Sequence, residues 1–177
     1  MKKESIRVLV ISAMLLGLGL VLPLLTGQIK EIGDSLLPMH LPIMLCGIIC
    51  GAKYGFATGI ILPFLRAITF GMPPLYPNAI WMAMELATYG LVIGILYSRL
   101  KKTTLHLLVS LLCAMVCGRI VWGITKALLL ITKEGAFTIK AFIIGGFVDA
   151  IPGIIIQLVL IPLIVGIYEK LNQKRAQ

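Results

Sequence analysis

The most telling absence in this sequence is electrical charge. Only 13% of its 177 residues are Asp, Glu, Lys or Arg, whereas 59% are hydrophobic. Soluble domains have about a quarter of their residues charged, so this chain lacks the polar side chains that would coat a soluble fold. Strand-like alternation and low-complexity tracts are absent too. The composition predicts a single all-α membrane domain that covers residues 1–177.

Motifs for familiar enzyme chemistry are also missing. No P-loop, H-E-x-x-H or G-x-S-x-G segment occurs, so the chain is not expected to hydrolyse ATP by itself or to be an enzyme. It is too small for the paired repeats of a secondary transporter. The lack of an ATP-binding motif and of paired repeats is consistent with a pump that is driven by partner subunits. We predict no catalytic residue and no cofactor.

The cysteines lack the C-x2-C spacing that is typical of zinc sites. They form two i, i+4 pairs inside apolar stretches: Cys46 with Cys50, and Cys113 with Cys117. We expect them to act as small packing residues rather than as metal ligands or a disulfide.

Long apolar runs are what the sequence does have, and a bilayer core of about 30 Å needs roughly 20 helical residues. We interpret 1–28 as a retained first helix rather than a cleaved signal peptide, because its apolar run is long and lacks an A-x-A site. The runs predict a compact bundle of six transmembrane helices. The six spans are Ile6–Thr26, Pro38–Cys50, Tyr54–Phe70, Asn78–Tyr97, Leu105–Thr132 and Thr138–Tyr168.

The basic residues are distributed unequally between the predicted span ends, and the formal net charge is +9. By the positive-inside rule, this bias predicts both termini in the cytoplasm of a multi-pass cell-membrane protein. It also explains the charge without a nucleic-acid partner. Lys2, Lys3, Arg7, Lys53, Arg99, Lys101, Lys102, Lys170, Lys174 and Arg175 fall on one side, and Lys30, Lys133 and Lys140 fall on the other.

Small residues recur one helical turn apart at two places. One set is Gly51, Gly55 and Gly59, around the start of span three, and the other is Ala13 and Gly17, in span one. Such spacing lets helix backbones approach closely, since packing drives helix association in lipid. Two interpretations stay open for both sets: packing within the chain, or a docking face for a separate membrane subunit.

Five ionisable residues lie inside the spans: Arg66, Glu85, Arg119, Lys126 and Asp149. Each charge costs about 2.5–3.5 kcal/mol at a helix centre, so such residues normally face a protein interior or a wet cavity. We predict the pairs Glu85–Lys126 and Asp149–Arg119, which leave Arg66 as surplus positive charge. The arrangement favours an anionic solute such as a carboxylate. The alternative is that all five only hold helices together.

Helical periodicity places further candidates beside these charges. Asn78, Met82, Glu85 and Tyr89 share one face of span four, and Arg119, Trp122 and Lys126 share one face of span five. Mixed aromatic and polar faces are typical of small-molecule pockets. His40 and Tyr76 would cap this outward-facing cavity from loops, although His40 could also be an ordinary interfacial residue. The predicted binding residues are His40, Arg66, Asn78, Glu85, Tyr89, Arg119, Trp122, Lys126 and Asp149.

Residues 33–97 resemble the substrate-binding S component of energy-coupling factor (ECF) vitamin transporters. The resemblance is carried by His40-Leu41-Pro42, Gly47, Gly51, Lys53-Tyr54-Gly55, Gly59, Pro63, Gly71-Met72-Pro73-Pro74, Pro77, Met84-Glu85-Leu86, Tyr89-Gly90 and Leu96-Tyr97. The Gly71–Pro74 loop together with Met84–Leu86 looks most like the pantothenate branch. Length, span number and orientation also match that family.

The resemblance implies capture of a small water-soluble vitamin, pantothenate first, from outside the cell. It further implies docking onto a membrane coupling protein, T, and two cytoplasmic ATPase subunits. In that family a small-xxx-small motif on the first helix contacts T, and here Ala13 and Gly17 occupy that place. Alternatives are an S component for folate, pyridoxine, riboflavin or a thiamine precursor, a stand-alone channel or facilitator, and a membrane enzyme acting on lipids. For the last, the sequence lacks a carboxylate cluster or His dyad near one interface.

Overall fold

A computed structural model of the chain describes residues 2–26, 33, 35–130 and 138–176. Within these residues the chain forms six helices of eleven residues or more, one short helix and no strand. The helices are α1 (Lys2–Val21), α2 (His40–Cys50), α3 (Ala52–Phe70), α4 (Ile80–Arg99), α5 (Thr104–Leu130), α6 (Ile139–Ile143) and α7 (Ile151–Ala176). A 3-10 turn, Leu22–Thr26, extends α1, and π-helical turns at Leu75–Ala79 and Ile144–Val148 precede α4 and α7.

The all-helical prediction is confirmed, and five of the six predicted spans match a long helix closely. The sixth, Thr138–Tyr168, is instead divided into α6, a π-helical turn and α7. Lys30 and Lys133, two of the three basic residues assigned above to the outer side, lie outside the described residues.

Four of the described segments are long and apolar enough to cross a membrane, so the chain is a membrane protein. They are Ser5–Leu25, Leu75–Arg99, Thr104–Leu130 and Ile139–Gln173. Helix α2 is apolar but has only 11 residues. At 1.5 Å per residue it spans about 16 Å, roughly half of a hydrocarbon core. It is therefore too short to cross the hydrocarbon core by itself.

Two glycines end helices through backbone geometry that other residues rarely adopt. Gly51 has φ +91° and separates α2 from α3. Gly71 has φ +70° and ends α3 in a left-handed cap, where its N–H donates to the Ala67 carbonyl. Glycine takes this conformation without the Cβ clash that penalises other residues.

Glycines also bring α2, α3 and α4 into backbone contact at the centre of the bundle. A Cβ added at Gly55 would lie 2.7 Å from the Gly90 carbonyl oxygen and 2.7 Å from Gly47 Cα. One added at Gly59 would lie 2.5 Å from the Ala87 nitrogen. Since real Cβ atoms do not approach so closely, these glycines pack within the chain, and Gly51 serves a turn. The predicted docking face is therefore not formed by the α3 glycines.

The remaining helices surround this central trio. Helix α1 packs on α2 and α3, α5 packs on α4, and α7 contacts α2 and α5. The Arg7 guanidinium donates to Asn172 Oδ1 at 3.2 Å, and the Tyr97 hydroxyl donates to Glu169 Oε1 at 2.6 Å. The start of α1, the end of α4 and the end of α7 therefore meet at one end of the bundle, which we call the terminal end.

Candidate functional site

A buried cluster of polar side chains centres on the carboxylate of Glu85. The Arg119 Nη1 lies 2.8 Å from Glu85 Oε1, and the His40 Nε2 lies 3.3 Å from the same oxygen. The Tyr89 hydroxyl donates to it at 3.3 Å. All four side chains are buried, with Glu85 only 2% exposed. A charge this deep is tolerated when an opposite charge and hydrogen bonds compensate its lost hydration.

Helix geometry explains why these groups meet. Glu85 and Tyr89 are one turn apart on α4, so their side chains lie on the same face. The Tyr89 ring rests against Gly118 of α5, where an added Cβ would lie 2.9 Å from the ring. The neighbouring Arg119 thereby reaches Glu85. His40, the first residue of α2, meets the Tyr89 ring edge-on at 5.0 Å between centroids.

The two predicted ion pairs are wrong. The partner of Glu85 is Arg119 rather than Lys126. Asp149, the predicted partner of Arg119, is exposed, and the structure gives it no ion pair with Arg119 among the described residues. Sequence spacing fixes the face of each helix, but it does not fix how far neighbouring helices are shifted along their axes. That shift sets which charges are level with one another.

A cavity of about 370 Å³ lies directly against this cluster. Its volume falls within the range of about 300–1,000 Å³ that small-molecule sites occupy. Eight of the nine predicted binding residues line it, and the ninth, Tyr89, lies behind Glu85 instead. The eight are His40, Arg66, Asn78, Glu85, Arg119, Trp122, Lys126 and Asp149.

Aromatic rings flank the Lys126 ammonium at the cavity wall. It lies 4.6 Å from the centroid of Trp122 and 5.3 Å from that of Trp81. The Arg119 guanidinium also lies over Trp122, at 5.8 Å. Cation–π attraction to tryptophan holds these cations in place. The cavity therefore combines positively charged side chains with flat aromatic walls.

Arg66 has a structural contact in addition to its place on the cavity wall. Its Nη1 donates to the Leu20 carbonyl at 2.7 Å, and its guanidinium lies 5.3 Å from the Phe70 ring centroid. The side chain thus links α3 to the last turn of α1 while it is 4% exposed. The geometry therefore supports a role as a helix tether and also places the guanidinium on the cavity wall.

Two predicted capping residues lie elsewhere than expected. His40 is helical and 3% exposed, so it is neither a loop cap nor an interfacial residue. The adjoining Pro38 and Pro42 made this segment look like a boundary, but proline is tolerated in a first helical turn. Tyr76 is 60% exposed and does not line the cavity.

Several lining residues were missed from the sequence. The clearest is Trp81, three residues after Asn78 and therefore on the same face of the chain as it enters α4. Its i+3 spacing was the available signal. The others are apolar or backbone contributors with no chemical signature in the sequence: Pro23, Gly33, Leu37, Pro38, Met39, Met72, Pro73, Pro74 and Gly145.

The cavity lies at the end of the bundle opposite the terminal end. Arg66 is four residues before the end of α3, Lys126 is four before the end of α5, and Asn78 lies two residues before α4. The start of α4 is the end of that helix remote from Tyr97, which contacts Glu169 at the terminal end. Basic residues such as Arg7 and Arg99 therefore lie at one end of the bundle, and the cavity lies at the other.

Other predicted features have simple placements. Ala13 is exposed on α1, and a Cβ added at Gly17 would meet nothing within 4 Å, so this face is open. Cys46 is buried and Cys113 and Cys117 are exposed, all as free thiols. Within the described residues, no group of His, Cys, Asp or Glu is arranged to hold a metal ion.

Comparison with known families gives one match. The family model described as "ECF transporter, substrate-specific component" matches residues 7–165 of the 177. The matched range includes every residue of the polar cluster and of the cavity wall named above. No curated protein and no solved structure gives a significant match.

Proposed function

The chain belongs to the family of ECF-transporter substrate-specific components, and on that premise we propose that it captures a small anionic vitamin, pantothenate first. Members of this family are transporter subunits rather than enzymes. The substrate and the partners of this chain are what we infer from its own residues.

The observation that carries the proposal is the charge balance of the cavity wall. Among the described residues, three cations line it, Arg66, Arg119 and Lys126, against two carboxylates, Glu85 and Asp149. Counted over these described residues, the wall therefore has one cation more than it has carboxylates. In a site of low dielectric this excess attracts an anion strongly. Pantothenate carries one carboxylate and is small enough for a cavity of about 370 Å³.

We infer that the cavity opens to the cell exterior. The basic residues gather at the terminal end, and the positive-inside rule assigns such an end to the cytoplasm. Arg99, Lys101 and Lys102, all exposed, follow Tyr97 at that end. The cavity at the opposite end would then meet solute outside the cell.

We further propose that α1 docks onto the membrane coupling protein, T, which acts with two ATPase subunits. Support comes from the open face around Ala13 and Gly17, flanked by Met14, which is 69% exposed. Small residues next to exposed apolar ones allow close helix approach in lipid.

A binding assay with the purified protein tests the substrate. The protein in nanodiscs would be titrated with pantothenate, folate, pyridoxine, riboflavin and thiamine. We expect saturable one-to-one binding of pantothenate above all others. Preference for a neutral or cationic vitamin would reject the anion assignment.

Reconstitution tests the mode of transport. Proteoliposomes with the chain alone should take up no labelled pantothenate, whereas those with the coupling protein, both ATPases and ATP should do so. ATP-independent flux through the chain alone would instead identify a facilitator.

A further inference from the structure

The imidazole of His40 is the least satisfied group that borders the cavity. It is 3% exposed, yet neither of its ring nitrogens makes a hydrogen bond of good geometry with the described residues. Its Nε2 at least faces Glu85 Oε1 at 3.3 Å, whereas no such contact is found for Nδ1 within the same part of the chain. Buried polar atoms are nearly always paired with protein, water or ligand. Nδ1 therefore lacks a partner among the described residues, and a bound molecule could supply one.

The position of Glu85 determines which nitrogen carries the proton. A bare Nε2 would aim its lone pair at a carboxylate oxygen 3.3 Å away, which is repulsive, so Nε2 holds the hydrogen. In the neutral ring the other nitrogen is then an acceptor.

Other polar groups near the ring are engaged elsewhere. Glu85 forms an ion pair with Arg119 at 2.8 Å. The Tyr89 hydroxyl, whose ring contacts the imidazole, donates to Glu85 rather than to His40.

We propose that His40 is neutral and that its Nδ1 accepts a hydrogen bond from a hydroxyl or amide N–H of the bound solute. The inference rests on the proposed function of the cavity and narrows its substrate class. The solute must combine an acidic group, attracted by Arg66 and Lys126, with a hydrogen-bond donor that reaches α2. Anions without such a donor are discriminated against, because they leave Nδ1 buried and unpaired. Pantothenate has a carboxylate together with hydroxyl and amide donors.

The protonation pattern can be measured without any ligand. The chain has two histidines, so the His106→Gln variant, altered at the other one, leaves a single imidazole. Nitrogen-15 NMR of this variant in nanodiscs should show a protonated Nε2 and an unprotonated Nδ1. A protonated Nδ1 would overturn the proposal.

Two substitutions separate the roles of the two nitrogens. In His40→Gln the amide can still donate to Glu85 but nothing replaces Nδ1, whereas in His40→Asn the amide oxygen lies near the Nδ1 position. The probes are pantothenate and analogues that lack one donor each, with a hydroxyl replaced by fluorine or the amide N–H methylated.

For the wild-type protein we expect one analogue to bind about tenfold more weakly than pantothenate, the effect of one lost hydrogen bond. His40→Gln should weaken pantothenate binding about tenfold and make that analogue and pantothenate equal. His40→Asn should keep the discrimination. Equal weakening of all probes by His40→Gln, or no weakening, would overturn the inference.

If the wild-type protein binds no pantothenate, the substrate proposed above is wrong. The nitrogen-15 spectrum still tests the protonation of His40 in that case. The two failures are therefore distinguishable.

Discussion

Arg119 and Glu85, on neighbouring helices, form an ion pair of 2.8 Å in which both side chains are at most 5% exposed. This contact joins α5 to α4 and holds Glu85 where it meets His40 and Tyr89. Because both charges are removed from water, neither is tolerated well without the other.

Removal of one partner should therefore destabilise the protein strongly. We expect Glu85→Gln and Arg119→Met each to cost about 3–5 kcal/mol of folding free energy, because each leaves a buried charge uncompensated. The double variant should lose clearly less than the sum of the two. Thermal unfolding of the purified variants in one detergent measures this coupling, and strictly additive losses would show that the pair is not a unit.

The glycine contacts at the bundle centre predict a sharp difference between two conservative changes. Gly55→Ala places a Cβ 2.7 Å from the Gly90 carbonyl oxygen, whereas Gly17→Ala meets nothing within 4 Å. Overpacking of this kind costs about 1–3 kcal/mol, so the melting temperature should fall only for Gly55→Ala. Equal melting temperatures would contradict the close packing of α3 on α4.

How much of this architecture was accessible from the sequence depends on the range of the interaction. Apolar run length and helical period are local, and they predicted the helices and the shared faces of Glu85 with Tyr89 and of Arg119 with Lys126. Partner choice is not local: Glu85 meets Arg119 because Gly118 accommodates the Tyr89 ring. The burial of His40 was missed because its proline neighbours resemble a loop, although α2 begins there.

The open face of α1 predicts a defect in assembly without a defect in capture. Gly17→Leu should leave vitamin binding unchanged and reduce uptake by the reconstituted transporter at least tenfold, since a bulky side chain prevents close helix approach. Gly166→Leu on α7 is the matched control, because that glycine also has nothing within 4 Å of an added Cβ. Similar uptake by both variants would mean that α1 is not the docking helix.

The charge of Arg66 and its contact with Leu20 can be separated by substitution. Arg66→Ala should weaken anion binding more than it lowers the yield of protein. Arg66→Gln keeps a donor for the Leu20 carbonyl but removes the charge. It should weaken pantothenate binding about tenfold, or ~1.4 kcal/mol, and leave binding of the neutral amide of pantothenate unchanged.

Arg99→Gln, an exposed cation at the terminal end, controls for net charge. If Arg66→Gln weakens the acid and its amide equally, or lowers yield and binding in parallel, Arg66 is a helix tether only.

The central claim is that an anionic vitamin occupies the cavity between His40, Arg66 and Lys126. Asn78 lines this cavity and is only partly buried. It is not one of the side chains that contact the Glu85 carboxylate, so Asn78→Trp should fill the space without unfolding the protein. Equilibrium binding of labelled pantothenate to wild type and Asn78→Trp, at equal folded fraction, is the most direct measurement. We predict one saturable site in the wild type and none in the variant; undiminished saturable binding to Asn78→Trp would contradict the account.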